Sequence, residues 1–258
     1  MKYIDKSINE SAGKQVVDAL LNNCWDPVDT IYKAADYDGL CKPPYRNPIL
    51  SLMLGEQSNL CCYCMKEISS RNTTLEHIIP HKINVGDFPA YLTTSELIDN
   101  VIHKEDFDKR TRIIPPAQYP HDIAYHNLIA SCDSNLHCNN YRSNKKIAPL
   151  IFDANIETLV EYDKAGNTYS EKYENDLGAL GLSLANSPLR LIRMIWYKLS
   201  QRFDDISQIN DEVINDEIYG LILLFNGTKV IENFTGKPSY EEEVLKYKWF
   251  FQYYKSII

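Results

Sequence analysis

No run of eighteen or more apolar residues occurs in this 258-residue chain, so hydropathy offers no membrane-spanning helix. The opening MKYIDKSINESAGK has no apolar core of the kind a secretory signal needs, and a cytoplasmic location is the expectation. An excess of positive charge is also lacking: 27 basic residues stand against 35 acidic ones, a net charge of −8. That balance excludes a protein that holds nucleic acid by its overall field, and any phosphate contact must be local. Internal repeats and low-complexity linkers are absent too, while 44% hydrophobic and 24% charged residues describe a folded chain. The seven cysteines are an odd number, which fits a disulfide framework poorly. In a reducing compartment, clustered thiols are better read as metal ligands.

Helical signals flank the chain. Val16, Val17, Leu20, Leu21 and Cys24 recur at helical spacing, and Asp26-Pro27 reads as a cap and first-turn proline for a second helix through Ala35. Asn47-Pro48 repeats the signal ahead of ILSLMLG. Beyond Asp153, Ser187-Pro188 opens a segment whose Leu189, Ile192, Trp196, Leu199 and Phe203 form one stripe. A second helix is expected over Glu212 to Phe225. Ser239 with Glu242 forms a capping-box pattern before a third, with Val244, Tyr247, Phe251 and Tyr254 on one face. These stripes, with the single cysteines Cys24 and Cys41, are read as core.

Residues 59–150 differ, holding all six histidines and five of the seven cysteines. In SNLCCYCMKEI, Cys61 and Cys64 make a C-x-x-C, the spacing at which a tight turn brings two thiolates to one tetrahedral ion. Cys132 and Cys138, in LIASCDSNLHCNN, supply a second pair. Together they predict a four-cysteine structural zinc site, which clips together a block with little core of its own. The second spacing is loose, so His137 stands as an alternative to Cys138. Between the pairs, NTTLEHIIPH reads as a short strand stopped by Pro80, with Glu76 and His77 near its end.

Glu76-His77-Ile78-Ile79-Pro80, then Asn127-Leu128 before Cys132, then Cys138-Asn139 with Arg142 or Lys145, resembles the motif order of the HNH endonucleases, the ββα-metal or His-Me finger nucleases. Their fold class would be α+β: a small zinc-clipped ββα-metal core at 59–153, with a helical N-terminal region at 1–58 and a helical C-terminal region at 154–258. The resemblance implies a metal-dependent hydrolysis of nucleic-acid phosphodiester bonds, with His77 as general base on water. It gives Glu76 and Asn139 to a catalytic Mg2+ or Mn2+, and Asn127 the task of orienting the histidine. Asn140 is an alternate to Asn139. Arg110 with Lys109 and Arg112, and Arg142 with Lys145 and Lys146, are the local basic patches expected to meet phosphate.

Among HNH proteins the chain looks most like the nuclease subunits of Septu-type antiphage defence systems, the PtuB group, and retron-associated relatives. That likeness implies a nucleic-acid substrate, DNA ahead of RNA, and an ATPase partner of the PtuA type docking on residues 154–258. Residues 82–125, which separate the motif halves, are either a substrate-contacting arm or plain packing. Two rivals remain. One is a noncatalytic zinc module that binds nucleic acid or protein; the other is a zinc hydrolase of another substrate, against which Pro80 interrupts the helix that a His77–His81 ligand pair would need.

Overall fold

Val17, Leu20 and Leu21 fall one helical turn apart and are all buried along α1 (Glu10–Cys24), the first long helix in a computed structural model that describes residues 1–110, 112–143, 145–235 and 240–257. A Cβ at Gly13 would lie 2.3 Å from the ring of Tyr125, so the glycine lets α1 press against the turn that carries Asn127. The helix expected after Asp26-Pro27 does not form. Trp25–Asp26 instead pairs antiparallel with Ile31–Tyr32, and Asp26 accepts the backbone N–H groups of Val28 at 2.8 Å and Asp29 at 3.3 Å. The aspartate thus closes a turn instead of capping a helix, and Thr30 (φ 54°) and Ala34 (φ 57°) take left-handed backbone that no α-helix continues through. α2 (Arg46–Glu56) then buries Ile49, Leu50, Met53 and Leu54, the apolar set of ILSLMLG.

Two antiparallel strands form the middle of the molecule. β1 (Thr73–His77) pairs with β2 (Leu128–Cys132), setting Glu76 opposite Ile129 and His77 opposite Leu128. Every residue of β2 is buried, and in β1 only Thr74 is half-buried. A short helix, α3 (Cys138–Arg142), follows β2. The segment between the strands is packed, not open: Leu97, Val101, Phe107, Tyr119 and Ile123 are all buried in the core.

The C-terminal region expected to be helical also holds a short antiparallel pair, Glu161–Tyr162 with Thr168–Tyr169, and the long helices begin at Pro188. α4 (Pro188–Arg202) starts where Ser187 Oγ accepts the N–H of Leu189 at 3.3 Å, and it buries Leu189, Ile192, Trp196 and Leu199. α5 (Asp211–Leu224) and α6 (Lys229–Thr235) follow. The expected third helix is broken in two, α7 (Tyr240–Leu245) and α8 (Trp249–Ser256), yet Val244, Tyr247, Phe251 and Tyr254 are all buried. Ser239 of the capping-box pattern lies outside the described residues. The chain is thus mixed helix and strand, and one buried apolar cluster runs from Met1 through Leu128 and Trp196 to Tyr254. Among the described residues no helix is long and apolar enough to cross a membrane.

Candidate metal centre and active site

The C-x-x-C is a tight knuckle: Cys61 N–H donates to Lys66 O at 2.7 Å, Met65 N–H returns to Cys61 O at 3.2 Å, and Met65 itself is left-handed. Gln57, at the end of α2, clamps this knuckle onto β2. Its Oε1 accepts the N–H of Ala130 at 2.7 Å, and its Nε2 donates to the carbonyls of Ala130 (2.7 Å) and Leu60 (2.8 Å). The second pair arrives from the end of β2 and the start of α3, where Cys138 has φ 64° and its N–H is held by Leu180 O at 2.8 Å.

The ligand atoms of Cys61, Cys64, Cys132 and Cys138 all lie within 4.8 Å of one another, and all four residues are buried. Zinc–sulfur bonds of about 2.3 Å around a tetrahedron separate the sulfurs by about 3.8 Å. Cys61 and Cys138 stand 3.8 Å apart and Cys64 and Cys132 3.7 Å, so this donor set fits zinc. Burial pushes the Cys138 thiol well above its usual range, whereas the Cys132 and Cys138 thiols, outweighing burial, hold Cys64 down to about 6. Metal binding to such a set would displace the thiol protons. His137 is not needed as the fourth ligand: its Nδ1 lies 3.1 Å from Cys138 Sγ and 3.9 Å from Cys132 Sγ, a hydrogen-bonding neighbour of the cluster. Cys62 is not one of the four clustered ligands, and burial, with the neighbouring Cys61 thiol, raises its own thiol well above the ordinary range.

The same clip sets β1 beside α3. His77 is 6% exposed, and its Nε2 lies 2.9 Å from the carbonyl oxygen of Asp122. A carbonyl can only accept, so Nε2 carries the proton and Nδ1 keeps its lone pair. Burial lowers the ring's pKa to about 3, so the imidazole is neutral across the physiological range. Tyr37 packs edge-on against it at 4.6 Å and donates its hydroxyl to Leu75 O at 3.2 Å; the exposed His81 ring lies 5.3 Å from His77. Asn127 is fully buried behind these groups. Its amide accepts the N–H of Ile79 at 2.7 Å and donates to the carbonyls of Ile79 (2.8 Å) and His121 (2.7 Å). It binds the turn after β1 to the segment before β2.

Glu76, His77, His81, Asn139, Asn140 and Arg142 share the wall of a recess of about 330 Å³. Arg142, expected as a surface contact to phosphate, is 1% exposed. Its guanidinium donates to Glu76 Oε1, to His77 O at 2.8 Å and to Ile78 O at 3.0 Å, while Nε donates to Lys145 O at 3.0 Å. The buried carboxylate and the carbonyls at the end of β1 take up its donors, which is why it is unavailable at the surface. Burial raises the Glu76 carboxyl to about 7, with Arg142 opposing. Asn139 Nδ2 donates weakly to Thr74 Oγ1 at 3.4 Å, while Asn140 is tied to Asp133 O at 3.0 Å and Asn135 Oδ1 at 3.1 Å. Among the described residues the four cysteines are the one group of three or more His, Cys, Asp or Glu placed to hold a metal. The recess itself presents one carboxylate, Glu76, which Arg142 engages, and the two amides of Asn139 and Asn140, so an ion there would draw most of its shell from water and substrate.

Of the remaining basic residues, Lys145 and Lys146 are exposed beyond α3, and Arg110 is exposed in the inserted segment, donating to Gln118 Oε1 at 3.3 Å. Gln57, Tyr37 and the carbonyl of Asp122 were not singled out from the sequence, since each acts through a partner some 40 to 70 positions away. Set against family models, curated proteins and solved structures, the chain matches none of them.

Proposed function

We propose that the protein is a metal-dependent HNH-type endonuclease that hydrolyses phosphodiester bonds, with DNA ahead of RNA as substrate and an ATPase as partner. The observation that carries this reading is the neutral His77 imidazole, fixed by Asp122 O in the tautomer whose Nδ1 is an acceptor, in one recess with Glu76 and Asn139. The order strand, strand, short helix around a four-cysteine cluster supports it. His77 accepts the proton of the attacking water. Glu76 and Asn139 would hold a magnesium or manganese ion, which when bound acidifies water and relieves charge on the phosphate. That acidification suits a base held to about 3, which by itself is weak. Arg142 keeps Glu76 and the end of β1 in place.

The ion pair between Glu76 and Arg142 favours a second reading, in which the same residues only support a noncatalytic zinc module. One assay separates the two. Purified protein is incubated with plasmid and with total RNA plus magnesium or manganese, beside His77→Ala. Nuclease action predicts cutting that falls by about 10²- to 10⁴-fold in the variant, with zinc content and melting temperature retained. Equal cutting by both proteins, or none by either with the partner present, rules the nuclease out.

A further inference from the structure

Three hollows lie side by side, each sharing lining residues with the next. The His77 recess meets a second of about 330 Å³ at Pro80, and that one meets a third of about 780 Å³ through Ala90, Tyr91 and Lys146. The groove therefore runs from the candidate active site past Lys82 and Lys146 to Tyr173. One wall belongs to the inserted segment, the other to the chain just after α3 and to the stretch before α4. We propose that this groove holds an unpaired stretch of the substrate nucleic acid, with a base stacked at Tyr91 and phosphates met by Lys82 and Lys146, and leads it to His77. The proposal rests on the nuclease reading and adds the subsite and the strandedness of its substrate.

The chemistry of the walls selects this occupant. Aromatic rings alternating with ammonium groups are what a single strand uses, because an unpaired base offers a free π-face and its backbone one line of charge. Lys146 Nζ lies 5.0 Å from the Tyr91 ring centre and Lys172 Nζ 4.9 Å from that of Tyr173. Lys82 and Lys146 form no ion pair among the described residues, so their charge is free for phosphate. The acidic residues of the groove are Glu76, Asp87, Asp153 and Asp176, of which Glu76 pairs with Arg142 and Asp87 accepts Asn84 Nδ2 at 3.3 Å. Asp153 takes Lys172 at 2.6 Å and the Tyr173 hydroxyl at 2.7 Å, and Asp176 accepts the N–H of Ala148 at 2.7 Å. In a duplex the base faces are covered by stacking, and Tyr91 has nothing to receive.

The test uses the full chain carrying His77→Ala, so that substrate binds without being cut, and reads anisotropy of labelled single-stranded DNA, single-stranded RNA and duplex DNA across a salt series. Tyr91→Leu should weaken single-strand binding roughly 5- to 150-fold. Lys82→Gln with Lys146→Gln should lower the slope of log affinity on log salt by about 1.4, the share of two phosphates on a single strand. Melting temperature and zinc content should stay at the parent's values in both. Unchanged affinity and slope in these variants, duplex bound more tightly than single strand, or no binding at low ionic strength overturns the groove. The outcomes also part the two proposals: cutting that depends on His77 but ignores the groove variants leaves the nuclease and removes the track. Groove-dependent binding without cutting does the reverse.

Discussion

Asp122 meets the His77 ring through its backbone carbonyl, and its backbone and side chain do opposite work. The carbonyl fixes the His77 tautomer, but the carboxylate is buried, with Oδ1 lacking a partner and Oδ2 4.0 Å from Lys104 Nζ. Burial raises that carboxyl from 3.8 to about 6. A folded-state value above the unfolded one means that Asp122 favours the fold below about 4 and loses that contribution as pH rises through 6. Asp122→Asn should therefore raise the melting temperature at pH 8, where wild type carries a buried charge that Lys104 meets only at 4.0 Å, and have little effect at pH 4; thermal melts at the two pH values check it. The Glu76–Arg142 pair carries the contrary lesson. Removing one partner from a buried pair leaves an uncompensated group, so Arg142→Met should cost about 3–5 kcal/mol, and adding Glu76→Gln should recover part of it. A double-mutant cycle by denaturant unfolding measures that coupling, and additive losses would show the two groups to be independent.

At the scale of elements, the parts legible in the sequence were those specified locally. Two cysteines in a knuckle, an apolar stripe at 3.6-residue period and Ser187-Pro188 opening α4 depend on neighbours a few positions apart. Asp26-Pro27 misled because an aspartate that accepts the N–H two and three residues on serves a turn as well as a helix start. Arg142 misled for another reason: its place in a basic run says nothing of Glu76, 66 positions earlier, which draws it inside. The knuckle and the start of α3 meet at the four sulfurs, and zinc should govern the accessibility of all four ligands. In zinc-loaded protein, an alkylating reagent should modify the half-buried Cys24 and Cys41 and spare Cys62, whose thiol burial keeps protonated. A strong chelator should then open Cys61, Cys64, Cys132 and Cys138, read by mass spectrometry, with loss of the folded baseline. Four ligands equally reactive before and after chelation would show that no metal clips the block.

The whole molecule limits how a partner surface can be tested. Glu67 N–H donates to Lys246 O at 2.6 Å, Lys66 pairs with Glu243 at 2.9 Å, and the C-terminal helices share the core of the strand pair. Deleting residues 154–258 would strip that core, so lost partner binding would report unfolding and not a contact. The surface of α5 offers a cleaner probe. Its Ile214, Ile218 and Leu221 face inward, while Tyr219, Leu223 and Leu224 remain 65%, 63% and 68% exposed. Tyr219 and Leu223, four residues apart, stand on one side of the helix, and three neighbouring exposed apolar residues make a patch suited to docking. With 27 basic residues against 35 acidic ones, the chain's overall field opposes phosphate, and under the nuclease reading a second protein would strengthen its hold on nucleic acid. If the proposed ATPase seats on α5, Leu223→Asp should abolish its co-purification while leaving zinc content, melting temperature and any magnesium-dependent cutting by the isolated chain as they were. Undiminished co-purification of Leu223→Asp would place the partner on another face of the molecule.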